Sequence, residues 1–304
     1  MNKSNYWDIT NRPHTKRKLE ILKEYLNKWA TIIFAQYLNH QKQWAKTAYY
    51  IDCYAGRGMY HNNGIMDSIN GSPLIALEYA KSLYLKHSGT VKLNCIFVEK
   101  NKKSVKELEN FCEPYRKFVN IDLILGDINI EIGNIIEKIK YRPVLFFIDP
   151  WGPKEIKKET IKQIVSRGEK SPNDLILNYI CGTSRVLAYV KKLISNNGNK
   201  EKIEKLLNSV KSLHEIESLT DSFSKKDKDL MLMIIKEIFA DSKLNQLSVY
   251  QMLRPNKNET SYFLLFASRC PSAKKIIDHI FKNKDKSTYT GQMYMFDKED
   301  YTPK

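Results

Sequence analysis

Five short apolar runs, separated by stretches of helical spacing, set the main constraint on how this 304-residue chain can fold. They are "AYYIDCYA" from Ala48, "LNCIFVEK" from Leu93, "VNIDLILGD" from Val119, "PVLFFIDP" from Pro143 and "DLILNYI" from Asp174. Strands that are apolar almost throughout must be buried on both faces, which requires helices above and below a mostly parallel sheet. Between the runs, helices are expected from about Pro73, from about Lys102, near Ile130 to Lys140 and near Lys154 to Arg167.

The two ends depart from this alternation. Ahead of the first strand, Leu19, Leu22, Leu26, Trp29, Ile33 and Tyr37 recur at three-and-four spacing, as in an amphipathic helix that follows Pro13. Near the other end, "SVYQMLRP", the turn "NKNE" and "SYFLLFASR" form two strands joined by a short turn, hence antiparallel, before a helix from Pro271. The expected architecture is an α/β, Rossmann-like, mostly parallel seven-stranded sheet ending in an antiparallel hairpin. Residues 1–47 form a helical extension, 48–190 and 248–283 the α/β domain, 191–247 a charged helical insertion, and 284–304 a polar tail with little regular structure before "GQMYMF".

Composition narrows the classes of function. No run reaches the length of uncharged apolar sequence that a membrane span needs, and the first ten residues lack a signal-peptide core, so a cytoplasmic protein is expected. Five scattered cysteines, Cys53, Cys95, Cys112, Cys181 and Cys270, contain no C-x-x-C pair and are expected to be reduced and buried, with no metal site. A net charge of +16 favours a polyanionic partner, RNA or DNA. A lysine-rich composition bias would produce the same charge without such a partner.

Ligands of parallel sheets bind beyond the carboxyl ends of the central strands, where strand order reverses. Four acids fall at such ends. Asp52 precedes the turn "CYAGRG", in which Gly56 and Gly58 permit a tight bend and a close backbone approach. Glu99 closes the next strand and suits a pair of ribose hydroxyls; Asp127 suits either an adenine amino group or a helix N-cap. Asp149 opens the turn "DPWG", and an acid there must find a partner or line a cavity. A nicotinamide-dependent oxidoreductase would carry G-x-G-x-x-G with its acid about 20 residues on, which is not this pattern.

The set, with the terminal hairpin, resembles the class I S-adenosylmethionine-dependent methyltransferases. That resemblance implies that Asp52, Tyr54, Ala55, Gly56 and Gly58 hold the methionine part of the cofactor, Glu99 the ribose, and Asp127 with Ile128 the adenine, with Lys100 and Asp149 completing the set. "YIDCYAGRGMY" and "IDPWGP" are also similar to the ribosomal-RNA adenine-N6 methyltransferases. Nearer still is the three-Cys-motif partner protein family, through "HTKRKLEILKEYLNKW", "YIDCYAGRG", "GSPLIAL", "FVEK", "FFIDPWGP", "LILNYI" and "YFLLFASR" in that order. It implies a methyltransferase-like fold and a partner protein with a three-cysteine cluster of the radical iron-sulfur type.

In amine methyltransferases an acid and the following proline carbonyl accept the hydrogens of an exocyclic amine while an aromatic stacks on the base. Asp149, Pro150 and Trp151 are the candidates for those roles. Trp151 stands one place early, and Gly152 occupies the usual position of the aromatic, so Trp151 is either a stacking group or a core residue. His14, Lys16, Arg57, Ser72 and Gly152 are the candidate substrate contacts. Ser72 also has a plain reading as N-cap of the helix that Pro73 opens. Two functions follow from the sequence: a nucleic-acid methyltransferase with adenine N6 as the leading acceptor, or a non-catalytic methyltransferase-like subunit of the iron-sulfur protein.

Overall fold

A computed structural model describes residues 13–60, 69–152, 155–167, 171–179, 239, 242–253, 260–285 and 292–294. Helix α1 (Pro13–Leu38) leads through a 3-10 turn into β1 (Thr47–Asp52). A two-stranded ribbon, β2 (Met59–Tyr60) with β3 (Ile69–Asn70), precedes α2 (Ser72–Lys86), β4 (Lys92–Glu99), α3 (Lys102–Cys112), β5 (Ile121–Leu125), α4 (Ile128–Ile139) and β6 (Val144–Ile148). Then come α5 (Lys158–Val165), β7 (Asn173–Tyr179), β8 (Gln246–Leu253), β9 (Thr260–Ser268), α6 (Pro271–Asp285) and β10 (Gln292–Tyr294).

The main sheet has the order β10-β8-β9-β7-β6-β1-β4-β5. Strands β7, β6, β1, β4 and β5 pair in parallel, whereas β9 is antiparallel to both β7 and β8. After β5, on the outer edge, the chain crosses back to place β6 on the other side of β1, which makes β1/β6 the point of reversal. This is the Rossmann-like methyltransferase fold with its reversed strand inside the terminal hairpin. The seven expected strands are joined by a short eighth, β10, paired with β8 within the expected tail.

Alternate residues of each central strand face opposite layers. Tyr50, Phe97, Phe147 and Phe266 pack under α1, α2, α3 and α6, while Ile51, Val98, Phe146 and Leu265 pack against α4 and α5. Leu19, Leu22, Leu26, Trp29 and Ile33 are buried, as the spacing of α1 requires. No helix among the described residues is long and apolar enough to cross a membrane. Cys53, Cys95 and Cys112 are buried, but Cys270 is exposed, because it lies in the connection from β9 to α6. Cys181 and nearly all of the expected insertion lie outside the described residues.

Candidate active site

The carboxyl ends of β1, β4, β5 and β6 bring Asp52, Glu99, Asp127 and Asp149 to one rim of the sheet, and the β1-to-β2 turn crosses it. That turn bends through two left-handed glycines, Gly56 at φ +63° and Gly58 at φ +90°. A Cβ on Gly58 would stand 2.9 Å from Leu108 Cδ1, and one on Gly71 only 2.7 Å from the Gly58 carbonyl oxygen. The Gly71 N–H donates to that same carbonyl at 2.8 Å, so the turn and the start of α2 are locked backbone to backbone.

A substitution series follows from this geometry. Gly71→Ala has only backbone in its way and is expected to displace the turn, lowering the melting temperature and weakening ligand binding at the rim. Gly133→Ala, inside α4 with nothing within 4 Å of its new Cβ, is expected to stabilise by about 0.5–1 kcal/mol. Thermal melts of both variants check the pair.

Glu99 is buried, and its two oxygens accept from separate backbone donors: Oε2 from Gly56 N–H at 2.9 Å and Oε1 from Asn101 N–H at 2.7 Å. The carboxylate therefore ties the glycine turn to the end of β4. Asp52 is fully buried; Oδ1 accepts from the Tyr54 N–H and Oδ2 from the Tyr50 hydroxyl, both at 3.2 Å. Burial pushes its pKa from 3.8 up to about 7 against the lowering effect of hydrogen bonds from Ser72, Tyr54 and Tyr50, and nearby Asp149 raises it further. Ser72 is not the N-cap of α2. Gly71 holds that position with extended backbone, so Ser72 falls in the first turn and its hydroxyl serves Asp52 instead.

Asp127 caps α4, its Oδ1 accepting from the backbone and side-chain nitrogens of Asn129 at 2.9 and 2.8 Å. Ile128 is buried beneath it. Asn129 also gathers the segment after β6: its Nδ2 donates to the Glu155 carbonyl, and its Oδ1 accepts from Lys157 N–H and the Thr160 hydroxyl. The Tyr54 hydroxyl donates to the same Glu155 carbonyl at 2.7 Å, while Lys100 pairs with the Glu155 carboxylate. Held in this way, residues 155–157 are not helical, and α5 begins at Lys158 rather than near Lys154.

Asp149 receives the partner its position demands. Lys18, reaching across from α1, pairs with Oδ2, and Asn178 Nδ2 at the end of β7 donates to Oδ1 at 2.6 Å. The Lys18 ammonium lies 5.6 Å from the centre of the buried Tyr262 ring, so it too is held from a second side. Pro150 is buried, whereas Trp151 is 40% exposed, which overturns its reading as a core residue. Gly152 has nothing within 4 Å of where a side chain would start.

Of the other candidates, Ala55 is buried and donates its N–H to the Val98 carbonyl. Arg57 pairs with Glu107 on α3 at 3.1 Å, and Lys16 is exposed near the start of α1. His14 lies in the first turn of α1, and its side chain falls outside the described residues. Sequence reasoning missed Lys18, Asn178 and Glu155 as rim residues. An asparagine interrupting the apolar run "DLILNYI" was the available signal for the second. Among the described residues, no group of three or more His, Cys, Asp or Glu is placed to hold a metal ion.

No protein-family model and no curated protein sequence matches the chain. Solved structures do resemble it. Protein LPL1258 from Legionella pneumophila aligns at TM-score 0.48 and 15% identity, covering 91% of this chain and 95% of that one. An rRNA methylase from Streptococcus thermophilus aligns at TM-score 0.36 and 13% identity over 73% and 87% of the two chains. The DszA carbon methyltransferase aligns at 0.42 and 13% over 81% and 53%. At such identities the likeness concerns the fold.

Proposed function

We propose that this chain is an S-adenosylmethionine-dependent methyltransferase acting on the exocyclic nitrogen of a nucleic-acid base, with adenine N6 as the leading acceptor. The observation that carries the reading is the position of Asp52, Glu99, Asp127 and Asp149 along one rim of the sheet, spanning the β1/β6 point of strand reversal, beside a turn that bends through two left-handed glycines. Strand position alone does not require four acids there. The residues also fit the cofactor. The rim is acidic where a cationic amino acid would sit, and a carboxylate oxygen has lone pairs beyond the single N–H that each Glu99 oxygen accepts.

The bound cofactor would supply an electrophilic methyl on a sulfonium. Asp52 and the turn through Gly58 hold its methionine part, Glu99 its ribose, and the Asp127–Ile128 corner its adenine. Asp149, oriented by Lys18 and Asn178, would accept a hydrogen bond from the acceptor amine, and the Pro150 carbonyl would take the other hydrogen. The carboxylate would meet the positive charge developing on the amine nitrogen, which gains the methyl as the methyl–sulfur bond breaks with its electron pair left on sulfur, and which gives up one proton to solvent. Trp151, at the open edge of the turn, stacks on the base. The charge of +16 draws in the polyanion, and a base within a duplex must be unstacked at a cost of a few kcal/mol.

Titration of Asp52 provides the test. With its pKa raised to about 7, the acid is ionised in only about one tenth of molecules at pH 6 and about nine tenths at pH 8. A cationic ligand prefers the ionised form, so affinity for S-adenosylmethionine is expected to rise about tenfold over that window, with proton release on binding. Without ligand the sign is opposite. The group's contribution to folding stability is complete below pH 3.8 and is lost as pH rises through about 7. Calorimetry in two buffers of different ionisation enthalpy measures both affinity and proton release, and Asp52→Asn should abolish the pH dependence. Absence of any binding of the cofactor between pH 6 and 8 would overturn the reading.

A second reading draws on the Lys18–Asp149 pair, which already occupies the carboxylate that an amine would need. In it the domain binds cofactor but transfers nothing by itself, serving a three-cysteine partner protein. Cofactor binding with no transfer of labelled methyl to RNA or DNA would favour it.

A further inference from the structure

The side-chain amide of Asn129, in the first turn of α4, has every hydrogen-bonding capacity filled. An amide offers two N–H donors and an oxygen with two lone pairs. Here Nδ2 donates to Asp127 Oδ1 and to the Glu155 carbonyl, both at 2.8 Å, while Oδ1 accepts from the Lys157 N–H at 2.9 Å and the Thr160 hydroxyl at 2.7 Å. Three of these partners lie 26 to 31 residues along the chain. Capping of α4 does not require them, since Asp127 Oδ1 already accepts from the Asn129 backbone N–H.

Glu155 is where this amide meets the turn that carries Asp149. Its N–H donates to the Gly152 carbonyl at 3.1 Å, its carbonyl accepts from Asn129 and from the Tyr54 hydroxyl, and its carboxylate pairs with Lys100. Tyr54 follows β1 in the glycine turn, Lys100 follows β4, and Asn129 opens α4. One residue is therefore tied to each of the three segments assigned to the cofactor. The Lys100 pair is exposed and screened by solvent, so the two bonds to the Glu155 carbonyl are the stronger anchors. Only Asn129 also reaches beyond it, to Lys157 and Thr160. Ile156, between the two held positions, is buried with Ile128 and Ile132.

We infer that Asn129 is a positioning residue for methyl transfer, which acts through Glu155 to set the turn from Asp149 to Gly152 against the cofactor rim. The inference rests on the methyltransferase reading for the reaction it serves, and on the hydrogen bonds alone for the placement of the turn. A misplacement of about 1 Å far from the chemistry can cost about 10²-fold in rate, so a link of this kind matters even though Asn129 performs no step itself.

The test uses the full chain labelled with 5-fluorotryptophan, its four tryptophan signals assigned by single Trp→Phe variants. In fluorine NMR spectra Asn129→Ala is expected to shift or broaden the Trp151 signal, while those of Trp29 and Trp44 stay in place. Asn129→Asp keeps an acceptor for Lys157 and Thr160 and suits the first turn of a helix, but has no N–H for Glu155. It should move the Trp151 signal in the same way, and it decides the matter if Asn129→Ala melts early. By calorimetry Asn129→Ala should bind S-adenosylhomocysteine within about threefold of wild type. With labelled S-adenosylmethionine and single-stranded oligonucleotides of mixed sequence, it should transfer methyl roughly 10- to 100-fold more slowly at saturating cofactor. A Trp151 signal unchanged in both variants, or full-rate transfer by Asn129→Ala, would overturn the inference. Wild type that binds no S-adenosylhomocysteine would instead overturn the methyltransferase reading and the reaction with it, and the fluorine signals would still decide what places the turn.

Discussion

Asp149→Asn is expected to reduce methyl transfer by roughly 10²-fold or more while leaving the affinity for S-adenosylmethionine within about threefold. The argument starts from its partners. The carboxylate is clamped by Lys18 on one oxygen and Asn178 on the other, so it is fixed before any substrate arrives. An amide in its place keeps the shape and one acceptor but loses the negative charge that would meet the developing cation on the acceptor nitrogen. It also leaves the buried Lys18 ammonium without its counter-charge. Breaking a fully buried pair costs about 3–5 kcal/mol in stability and this part-buried one less, so a melt must accompany the assay. The double variant Lys18→Met with Asp149→Asn removes both charges and should recover much of that stability without recovering transfer. Recovery of activity along with stability would assign Asp149 to folding alone. Undiminished transfer by Asp149→Asn at saturating nucleic acid would remove it from the chemistry.

The fold was legible in the sequence because its central strands β4, β6 and β7 are buried on both faces, whereas β5, expected to be so too, lies at the sheet edge and is only partly buried, with Leu125 exposed. Runs such as "PVLFFIDP" admit no other placement, and each acid at a strand's end marked the rim directly. The contact that orients Asp149 was not legible. Lys18 precedes Asp149 by 131 residues and sits on a helix outside the strand-helix alternation, so no local spacing connects them. By sequence "HTKRK" reads first as a solvated charged turn and second as an anion-docking helix start, yet Arg17 and Lys18 are both buried. Ser72 was one position from its expected role: propensity favours serine as a cap, but the buried Asp52 competes for the same hydroxyl. The start of α5 was misjudged for a similar reason. Lys154 to Lys157 suit a helix by composition, but contacts from the remote Asn129, Tyr54 and Lys100 hold residues 155 and 157 in place ahead of it.

Glu99 has two tasks that conservative substitutions can separate. Its oxygens accept one backbone N–H each, from Gly56 on the turn and from Asn101 after β4. Glu99→Ala leaves both donors without their acceptor, at about 1–3 kcal/mol for each that remains buried, and it removes the group positioned for a ribose. The expected result is a fall in melting temperature together with a loss of S-adenosylmethionine affinity of about 10²-fold or more. Glu99→Gln keeps one carbonyl oxygen but turns an N–H₂ towards the other donor, so it should destabilise less while still weakening the cofactor by about tenfold. On the proposed assignment adenine would bind through the Asp127 corner and would not need the ribose acceptor. Its affinity should therefore fall far less than that of adenosine in the Glu99→Gln protein. Parallel calorimetric titrations of adenine, adenosine and S-adenosylmethionine against wild type and both variants decide the matter: equal losses for adenine and adenosine would mean that Glu99 acts only by tethering the glycine turn.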